Sequence, residues 1–440
     1  MKIKKTISRC MIGIIITVRN RAEYLFHCLE SLKAADLTNC KIVIVDDAST
    51  DIRVWEMAFD FAEQVPNSKL INTNINVGVK VAIRKGIDAV LHECDYFIIL
   101  DGDTMVRKDF VSKIMALPKN GIATGFNSFT KNKNGEVRHP AISETEAYYV
   151  KKTIGGANVG FTKQVYFDFV ESALMAYGHW DYQLCNSITM SGGKIYSVKE
   201  SVVQHIGVVS SMGHTTEDER HDSAEDFYLH DLKDVTLISI GFDYDKAKTS
   251  IDKCLEYVRF GDVKILTDKE GEYAVRIKKF ANKAHYNTFM LKHLSDYIDT
   301  KHFLIVNEKS HIINPSAWRY DWLEYDYIGA PWDFYTDGYN VGDGGFSLRS
   351  HHLAKVLSLD NKIKPMNDHI TVHMDDDRNI CRIHRAYLED KHAIQYAPLS
   401  VARKFSMSIP VLKNQTFPYT GTFGVHDLGN IDYSKTLKQY

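Results

Sequence analysis

The residues best suited to chemistry are two aspartates that follow a short apolar run. Asp101-Gly102-Asp103 comes directly after Tyr96–Leu100, a segment typical of a buried strand. Two carboxylates one residue apart at a strand end can bind a divalent cation and the phosphates that it bridges, because Mg²⁺ and Mn²⁺ prefer oxygen ligands. The motif alone also fits an ordinary Asp-Gly surface turn. Its position after a strand favours a metal site.

A second polar cluster, residues 46–51, follows another apolar run in the same way. A carboxylate at such a strand end can accept a hydrogen bond from a base N–H. Ser49, Thr50 or Asp51 can cap the helix that follows, and Asp51 fits this use best. A third polar group, Thr17 to Asn20, ends the first apolar run.

These residues need a framework that brings strand ends together. As far as about residue 116, apolar runs of strand length alternate with segments of helical spacing. This alternation predicts a mostly parallel sheet with right-handed crossovers, in which ligands bind at the carboxyl ends of the strands. The expected strands are Ile12–Val18, Lys41–Val45, Lys69–Asn72 and Tyr96–Leu100, and the expected helices are Ala22–Ala35 and Val79–Leu91.

The same rhythm returns near Asp234. The expected strands are Val235–Ile240, Val263–Leu266 and His302–Val306, and the expected helices are Lys246–Tyr257 and His285–Ile298. An acidic segment nearly free of aliphatic residues separates the two halves and is typical of a linker or an exposed helix. The predicted fold class is α/β, with two Rossmann-like domains on mostly parallel central sheets. The predicted limits are 1–212 for the first domain, 213–232 for the linker and 233–440 for the second domain.

The composition limits the classes of function. A chain of 440 residues with 44% hydrophobic and 25% charged residues is globular and too long for one ordinary domain. A formal charge of −2 argues against binding nucleic acid by bulk electrostatics. Seven scattered cysteines without a CxxC pair argue against zinc and disulfide scaffolds and favour a reducing cytoplasm. The sequence contains no run of about 18 apolar residues, the length that a membrane span needs. We therefore expect a soluble or peripheral protein.

Several segments of the first half, taken together and in order, resemble the family 2 glycosyltransferases of GT-A fold. The similarity covers about residues 10–210, which makes it far more specific than any single motif. The matching segments are Ile14–Asn20, Val43–Asp51, Asn76-Val77-Gly78, Asp101-Gly102-Asp103, Gly155-Gly156-Ala157-Asn158, Trp180-Asp181 and Gln204-His205-Ile206-Gly207.

The resemblance implies a role for each matching residue near the donor. Thr17 and Asp47 would bind the base and ribose of a nucleotide, and Asp101 would contact the ribose or the metal. Asp103 would be the ligand of Mn²⁺ or Mg²⁺, and His205 would approach the metal or the diphosphate. The cofactor implied is therefore a divalent cation.

The resemblance also implies a catalytic base. Asp181 would take the proton from the acceptor hydroxyl, although an acidic residue before the helix Tyr182–Met190 also suits the helix dipole. Gly156 would contact the nucleotide. Arg19 stands where an aromatic residue often stacks on the base, and a guanidinium can stack too. Trp180 replaces the Glu of the family's Glu-Asp pair.

Residues 234–427 resemble a bacterial domain of unassigned function that accompanies glycosyltransferases and also looks GT-A-like. Lys309 stands where such domains carry an Asp, and Asp343 stands in place of an Asn. A protonated lysine cannot ligate a cation, although its ammonium can meet a diphosphate. Asp376 and Asp377 fit either a catalytic base or a solvated helix start. The motifs that carry this similarity are Asn314-Pro315, 325–332, Gly342–Ser350, Asp375–Asp377 and Phe423–His426.

The expected function is transfer of a sugar from a nucleotide-diphosphate sugar, above all a UDP-sugar, to a hydroxyl of a glycan, lipid-linked or polysaccharide acceptor. The first domain would be metal-dependent and inverting. The second would be a metal-independent transferase or a non-catalytic module that binds the acceptor. By family analogy the protein would serve polysaccharide assembly in the cytoplasm or at the inner face of the membrane. A nucleotidyltransferase and a transferase acting on modified nucleic acid are minor alternatives.

Overall fold

The computed structural model describes residues 10–128, 130–131, 135–207, 222–365, 375–408 and 421–426. The chain divides into two compact units. The N-terminal unit lies within Met1–Leu229, and the C-terminal unit lies within His230–Gln439. Each unit is an α/β layer structure with its own sheet and core, so the predicted fold class is confirmed.

The N-terminal unit is built around a nine-stranded sheet in the order β3-β2-β1-β4-β9-β6-β10-β8-β7. Its strands are β1 (Ile12–Val18), β2 (Cys40–Asp46), β3 (Ser68–Asn72), β4 (Tyr96–Asp101), β5 (Thr104–Val106), β6 (Gly121–Thr124), β7 (Ala141–Glu144), β8 (Tyr148–Lys151), β9 (Asn158–Thr162), β10 (Lys194–Val198) and β11 (Val203–His205). Its helices are α1 (Ala22–Lys33), α2 (Ile52–Gln64), α3 (Val79–Asp88), α4 (Phe110–Met115), α5 (Lys163–Val165), α6 (Glu171–Met175) and α7 (Trp180–Met190), with a π-helical turn at Tyr166–Val170.

Four neighbouring strands, β3, β2, β1 and β4, run parallel, and β9 runs antiparallel beside β4. Strand β1 is apolar and buried along its whole length because helices cover both faces of the sheet. The register places Thr17 beside Asp101 and Val18 beside Asp46. The polar residues that follow these strands therefore meet at one edge of the sheet, as the sequence predicts.

Helix α3 packs closely on the parallel strands. Ala82, Ile83 and Ile87 are buried in the same core as Ile15. A Cβ atom added at Gly86 would overlap the Ile15 side chain. The glycine therefore lets the helix approach the sheet, which explains this residue within an otherwise regular amphipathic helix.

A two-stranded sheet of β5 and β11 lies after the central strand β4. These strands pair antiparallel, with His205 opposite Thr104. Because β5 follows Asp101-Gly102-Asp103 after a single turn, this pairing brings His205 to the aspartates. The antiparallel strands β9 and β11 are not among the elements that the sequence predicts.

The structure places the acidic segment differently from the predicted linker. Its described part, 222–229, belongs to the N-terminal unit, where Ala224, Phe227 and Leu229 are buried. The Gln204 amide exchanges two hydrogen bonds with the Ala224 backbone. Asp222 accepts a hydrogen bond from Ser128 and Asp226 accepts one from Ser201 N, whereas Glu225 is exposed. Strand pairing of the next unit begins at His230, before the predicted domain start at 233. Residues 213–221 lie outside the described residues.

The C-terminal unit contains a six-stranded sheet, β14-β13-β12-β15-β18-β17, and a three-stranded sheet, β16-β20-β19. Its strands are β12 (His230–Ile240), β13 (Val258–Thr267), β14 (Ala274–Arg276), β15 (His302–Val306), β16 (His311–Ile312), β17 (Tyr327–Ile328), β18 (Phe346–Ser350), β19 (Ser406–Ser408) and β20 (Gly424–His426). Its helices are α8 (Tyr244–Leu255), α9 (Lys283–Lys292), α10 (His351–Leu359), α11 (Asp376–Arg378), α12 (Arg385–His392) and α13 (Leu399–Phe405). Short 3₁₀ turns cover Leu294–Tyr297, Pro315–Ala317 and Tyr320–Glu324, and a π-helical turn covers Asn379–Ile383.

The two large sheets share one topology. In the C-terminal unit, β14, β13, β12 and β15 run parallel, and β18 runs antiparallel beside β15. This order repeats that of β3, β2, β1, β4 and β9. The dense aromatic residues of this half are mostly core: Trp318, Trp322 and Trp332 are buried, whereas Tyr320 is exposed.

Candidate functional site

Asp103 is held by two cationic groups at the carboxyl end of β4. Its Oδ2 atom lies 2.6 Å from Arg21 Nη1 and 3.1 Å from His205 Nε2. The Asp103 side chain is nearly buried, at 8% exposed. Arg21 also lies over the Tyr24 ring, with its guanidinium carbon 4.6 Å from the ring centroid. The two predicted metal-site residues Asp103 and His205 are therefore brought together, and Arg21 joins them.

The three ionisable groups shift one another's pKa. Burial alone would raise the pKa of Asp103, but the hydrogen bond from His205 and the charge of Arg21 lower it. Burial would lower the pKa of His205, and the bond to Asp103 raises it instead. The pKa of Asp101 is raised, first by burial and then by the nearby charge of Asp103. The site therefore favours the charged forms of Asp103 and His205 and disfavours the charged form of the neighbouring Asp101.

The loop between β1 and α1 is held in an unusual backbone conformation. Asn20 and Arg21 have φ angles of 57° and 64°. The Asn20 side chain compensates for this strain by accepting hydrogen bonds from the backbone N–H groups of Thr50 and Asp51, at 2.8 and 3.2 Å. The loop after β1 is therefore joined to the loop after β2, and this junction aims Arg21 at Asp103.

Gly207 lies directly against the Arg21–Asp103 ion pair. A Cβ atom at this position would overlap both Asp103 Oδ2 and Arg21 Nη2. The Nε and Nη2 atoms of Arg21 are buried and have no hydrogen-bond acceptor among the described residues. The guanidinium therefore retains donors that an added anion can satisfy.

The carboxylate of Asp47 is used by the backbone of the β3–α3 loop. One oxygen accepts from Val77 N at 2.7 Å and the other from Gly78 N at 2.8 Å, and Thr73 Oγ1 donates to the first at 3.0 Å. Asp47 thus fixes the start of α3, and its contact with a base stays a prediction. Asp51 caps α2 by accepting from Arg53 N, as the sequence predicts.

Thr17 and Arg19 differ in exposure. Thr17 is buried at the end of β1, with Oγ1 3.5 Å from Asp101 Oδ1. Arg19 is exposed on the following loop. Thr17 therefore lies within the predicted site, and the stacking of Arg19 on a base stays a prediction.

Asp181 lies in the first turn of α7, partly exposed. Its Oδ1 atom accepts from Tyr182 N at 2.9 Å. Its charge raises the pKa of Asp101, so the two carboxyl groups lie near enough to interact. Trp180 is buried, and a Cβ atom at Gly156 would lie 3.2 Å from its indole ring. Gly156 therefore permits the packing of the Gly-Gly loop on α7.

A polar chain that the sequence did not reveal extends from this site. His205 Nδ1 lies 3.2 Å from the backbone oxygen of Asp222, whose side chain lies 3.1 Å from His139 Nε2 and accepts from Ser128 Oγ at 2.6 Å. Burial would raise the pKa of Asp222, but the bonds from His139 and Ser128 lower it. Asp222, which belongs to the segment predicted as a linker, thus positions His205, the expected metal ligand.

Asp103 and His205 are the residues that would hold the expected divalent cation. The Asp103 oxygen and the His205 nitrogen are 3.1 Å apart and share a hydrogen bond, so the Nε2 atom of His205 would lose its proton when it binds a cation together with Asp103. Within the described ranges no group of three or more His, Cys, Asp or Glu side chains is placed to hold a metal ion. A protein pair completed by phosphate oxygens and water is the usual arrangement for Mg²⁺.

The C-terminal unit brings its own carboxylates together. Asp343 Oδ1 lies 2.6 Å from His426 Nδ1 and accepts from Gly345 N at 3.0 Å. Burial would raise the pKa of Asp343, but the bond with His426 lowers it. Asp377 accepts from Gly344 N at 2.9 Å. The turn at Asp343–Gly345 therefore contacts both His426 and Asp377, which lies at the start of α11.

Asp376 is buried rather than solvated. It pairs with Arg349 at 2.8 Å, and the two side chains are 6% and 2% exposed. This excludes a solvated helix start for Asp376, because the helix packs inward on β18. The pKa of the neighbouring Asp377 is raised, mainly by burial and then by the charges of Asp376 and Asp343. Lys309 is exposed after β15.

Comparison with known families agrees with the resemblance drawn from the motifs. Residues 13–169 match the model of the family described as Glycosyl transferase family 2. Residues 273–426 match a family described as a protein of unknown function, DUF5672. The N-terminal unit therefore carries a glycosyltransferase domain, and the C-terminal unit carries a domain of unassigned function.

Curated relatives match only in part. EpsH of Bacillus subtilis (strain 168) is 23% identical over 158 residues, covering 34% of this chain and 45% of that protein. The uncharacterized glycosyltransferase YibD of Escherichia coli (strain K12) is 30% identical over 106 residues, covering 24% and 30%. Glycosyltransferase GlyG of Streptococcus pneumoniae serotype 4 (strain ATCC BAA-334 / TIGR4) is 26% identical over 104 residues, covering 24% and 34%. The chain thus spans less than half the length of each.

Solved structures resemble the chain weakly. GalNAc-T7 with UDP, GalNAc and Mn²⁺ matches with a TM-score of 0.36 and 14% identity, covering 43% of this chain and 42% of that one. TarS 1-349 of S. aureus in complex with UDP-GlcNAc matches with a TM-score of 0.35 and 14% identity, covering 46% and 61%. A likeness at this level carries no argument about activity.

Proposed function

We propose that the N-terminal unit transfers a sugar from a nucleotide-diphosphate sugar to a hydroxyl group, with a divalent cation and with inversion at the anomeric carbon. The observation that carries this is the position of Asp103, between His205 and Arg21 and beside Asp101. Asp101 and Asp103 stand at the end of β4, next to β1, where the order of the parallel strands reverses. Ligands of open α/β sheets bind at such switch points.

The residues at the end of β4 would hold the donor. Asp103 and His205 would bind a cation, which neutralises the charge that develops on the leaving diphosphate. Arg21 already neutralises Asp103, and its unused N–H groups are suited to phosphate oxygens. The site therefore concentrates positive charge where the leaving group departs.

Asp181 is the proposed general base. It is partly exposed at the start of α7 and close enough to Asp101 to raise the pKa of that group. A carboxylate here can remove the proton from an acceptor hydroxyl as that oxygen attacks the anomeric carbon. Attack from the face opposite the leaving diphosphate inverts the configuration.

The proposed partners follow from the same chemistry. A UDP-sugar is the first donor to test, and a glycan, lipid-linked or polysaccharide hydroxyl is the proposed acceptor by family analogy. In the part of the chain that the structure describes, no helix is long and apolar enough to cross a membrane. All seven cysteines are free thiols, which supports a reducing cytoplasmic location.

Donor hydrolysis tests the proposal without knowledge of the acceptor. The full chain is incubated with UDP-, GDP- and dTDP-sugars and Mn²⁺ or Mg²⁺, and nucleotide release is measured. We expect release from one donor, abolished by EDTA and lowered at least ~10²-fold by Asp103→Asn, because a charge-stabilising ligand is lost. Asp60→Asn, the same change at an exposed position of α2, is the matched control.

Asp181→Asn separates binding from transfer. We expect this variant to bind the nucleotide with unchanged affinity in calorimetry and to lose transfer once an acceptor is known, since the base acts only on the acceptor. Absence of any nucleotide binding to the folded chain with Mn²⁺ present would overturn the proposal.

A further inference from the structure

The C-terminal unit has an open groove at the carboxyl ends of β12 and β15. Its volume is about 350 Å³, within the range of ligand pockets. Ile240 to Asp243 follow β12 and form one side, and Glu308 follows β15 on the other. Strand β13 lies on one side of β12 and β15 on the other, so the groove occupies the switch point of this sheet.

One wall of the groove is aromatic. Phe242 and Phe280 meet edge to face with ring centroids 5.3 Å apart, and Phe280 and Tyr286 do so at 5.6 Å. All three rings line the groove, and all three are partly exposed. Such a wall suits a flat ring system that stacks on or against aromatic edges.

Most polar side chains of the groove are already committed. Asp243 caps α8 and pairs with Lys246 at 2.6 Å. Asn282 caps α9 through its oxygen, and Lys283 pairs with Asp375 at 2.5 Å. These contacts hold the walls in place and leave few polar groups for a ligand.

Glu308 is a carboxylate of the groove that interacts with the charge of Lys246 but is not used as a hydrogen-bond acceptor among the described residues. Over the described ranges its side chain makes no hydrogen bond, and a Cβ atom at Gly241 would lie 3.2 Å from its Oε1 atom. At the same sheet edge, Asp268 follows β13 with its Oδ1 atom buried and without a partner among the described residues. Carboxylate oxygens accept hydrogen bonds and do not donate them, so the ligand must present N–H or O–H groups.

The end of β15 also differs from the end of β4 in its charge. Asn307 N donates to Gly345 O at 2.9 Å, just as Asp101 N donates to Ala157 O at 3.0 Å. Asn307 thus takes the position of Asp101, and Lys309, two residues on, takes that of Asp103. The end of β15 therefore has no counterpart of the aspartate pair at the end of β4. This argues against a divalent cation held by two carboxylates at the end of β15.

We propose that this groove binds the base of a nucleotide without a divalent cation, with Glu308 accepting the ring N–H of uracil or guanine. The site lies in the C-terminal unit and does not depend on the function proposed for the N-terminal unit. The aromatic wall supplies contact area for the flat base, and the ring N–H of uracil or guanine would donate to the Glu308 carboxylate.

Calorimetry in EDTA tests the proposal on the full chain carrying Asp103→Asn. UDP, GDP, CDP and ADP are titrated separately. We expect UDP or GDP to bind, and CDP and ADP to bind at least ~10-fold more weakly, because cytosine and adenine offer Glu308 only an amino group beside a ring nitrogen whose lone pair repels the carboxylate. In the same background, Glu308→Gln should weaken the preferred nucleotide at least ~10-fold and improve CDP or ADP, since the amide adds a donor. A merely structural role of Glu308 would not change the order of preference.

Two further variants complete the test. Glu256→Gln, the same substitution at an exposed residue, should leave all four affinities unchanged, and Phe280→Leu should weaken all four alike. No binding to the folded chain in EDTA, binding indifferent to Glu308→Gln, or binding of free sugars instead of nucleotides would overturn the inference. Binding that requires Mn²⁺ and Asp103 would also overturn it, while it would support the function proposed for the N-terminal unit.

Discussion

At the scale of single residues, the charged side chains of the candidate site are in close contact with one another and with the backbone of Gly207. Asp103 accepts from both Arg21 and His205, and Gly207 covers the ion pair. A carboxylate held by two cations keeps one orientation, and preorganised charge of this kind stabilises a transition state at no cost of rearrangement. The absence of a side chain at position 207 is therefore part of the site.

Gly207→Ala should displace the Asp103 carboxylate, because the added methyl group would overlap Asp103 Oδ2. We expect donor hydrolysis to fall ~10²-fold, the effect of moving a catalytic group by about 1 Å. Gly155→Ala is the matched control, since its nearest contact would be His139 Nε2 at an ordinary 3.7 Å. Equal activity of the two variants, with equal melting temperatures, would contradict this account of Gly207.

The buried pair of Arg349 and Asp376 allows a double-mutant cycle. Arg349→Leu should lower the free energy of unfolding by ~3–5 kcal/mol, because it leaves a buried carboxylate without its partner. Arg349→Leu/Asp376→Leu should cost less than Arg349→Leu alone, since no charge is then left buried. Urea unfolding of Arg349→Leu, Asp376→Leu and the double variant measures this, and additive single effects would show that the two side chains do not interact.

Some residues of the candidate site could be predicted from the sequence, and others could not. Asp101 and Asp103 were predictable because they follow an apolar strand, and strand ends share one edge of a parallel sheet. Arg21 gave no comparable signal, since its contact with Asp103 depends on a left-handed loop conformation. Asp222 was hidden for another reason: an acidic segment has the composition of a linker whether or not its side chains find partners.

At the scale of elements, short antiparallel pairs complete the site that the parallel strands begin. His205 is 102 residues from Asp103 in sequence and reaches it through the pairing of β11 with β5. In the C-terminal unit, the turn before β18 binds the start of α11 through the hydrogen bond from Gly344 N to Asp377. In both units, residues next to a strand of the large sheet form one part of the acidic cluster, and a segment distant in sequence forms the other part.

Asp377 makes stability depend on pH. Its pKa is raised in the folded state, mainly by burial, whereas an unfolded Asp ionises at ~3.9. A carboxyl group with a raised folded pKa contributes stability that is complete below its unfolded pKa and is lost as pH rises through the folded pKa. The free energy of unfolding should therefore decline above pH ~4 up to the raised pKa.

Asp377→Asn should remove this part of the pH dependence, because an amide does not ionise. The check is urea unfolding at several pH values between about 4 and 8, with Asp390→Asn at an exposed position of α12 as control. Parallel pH profiles for the variant and the unmodified chain would contradict the raised pKa.

Elements were predictable where the hydrophobic pattern is regular. The expected strand Ile12–Val18 coincides with β1, and the expected helix Val79–Leu91 contains α3. Strands β9 and β11 escaped prediction because they are short and are fixed by pairing with distant partners. The expected helix at His285–Ile298 instead begins at Lys283 and ends in a 3₁₀ turn.

At the scale of the whole molecule, one strand order is used twice with different charge at the critical strand end. The parallel order β3-β2-β1-β4 returns as β14-β13-β12-β15. The first copy ends β4 with two aspartates, and the second follows β15 with Asn307, Glu308 and Lys309. The proposed cation site of one unit and the proposed cation-free nucleotide site of the other therefore lie at equivalent strand ends of the two sheets.

The two units should unfold as separate cooperative blocks, since their cores are formed by different residues. Scanning calorimetry of the full chain should give a calorimetric enthalpy larger than the van't Hoff enthalpy. Arg349→Leu should lower the temperature of one transition and leave the other unchanged. A single two-state transition that shifts as a whole would contradict this.

The distribution of thiols makes the chain convenient for attaching a dye or a surface tether. Of the seven free cysteines, only Cys10 is exposed. Burial raises the pKa of Cys28 and Cys254 to about 12, so these thiols offer little reactive thiolate at neutral pH. A maleimide reagent should therefore modify Cys10 alone. Because Cys10 precedes β1 and Asp103 follows β4, which is parallel to β1, the attached group would sit at the edge of the sheet opposite the proposed donor site.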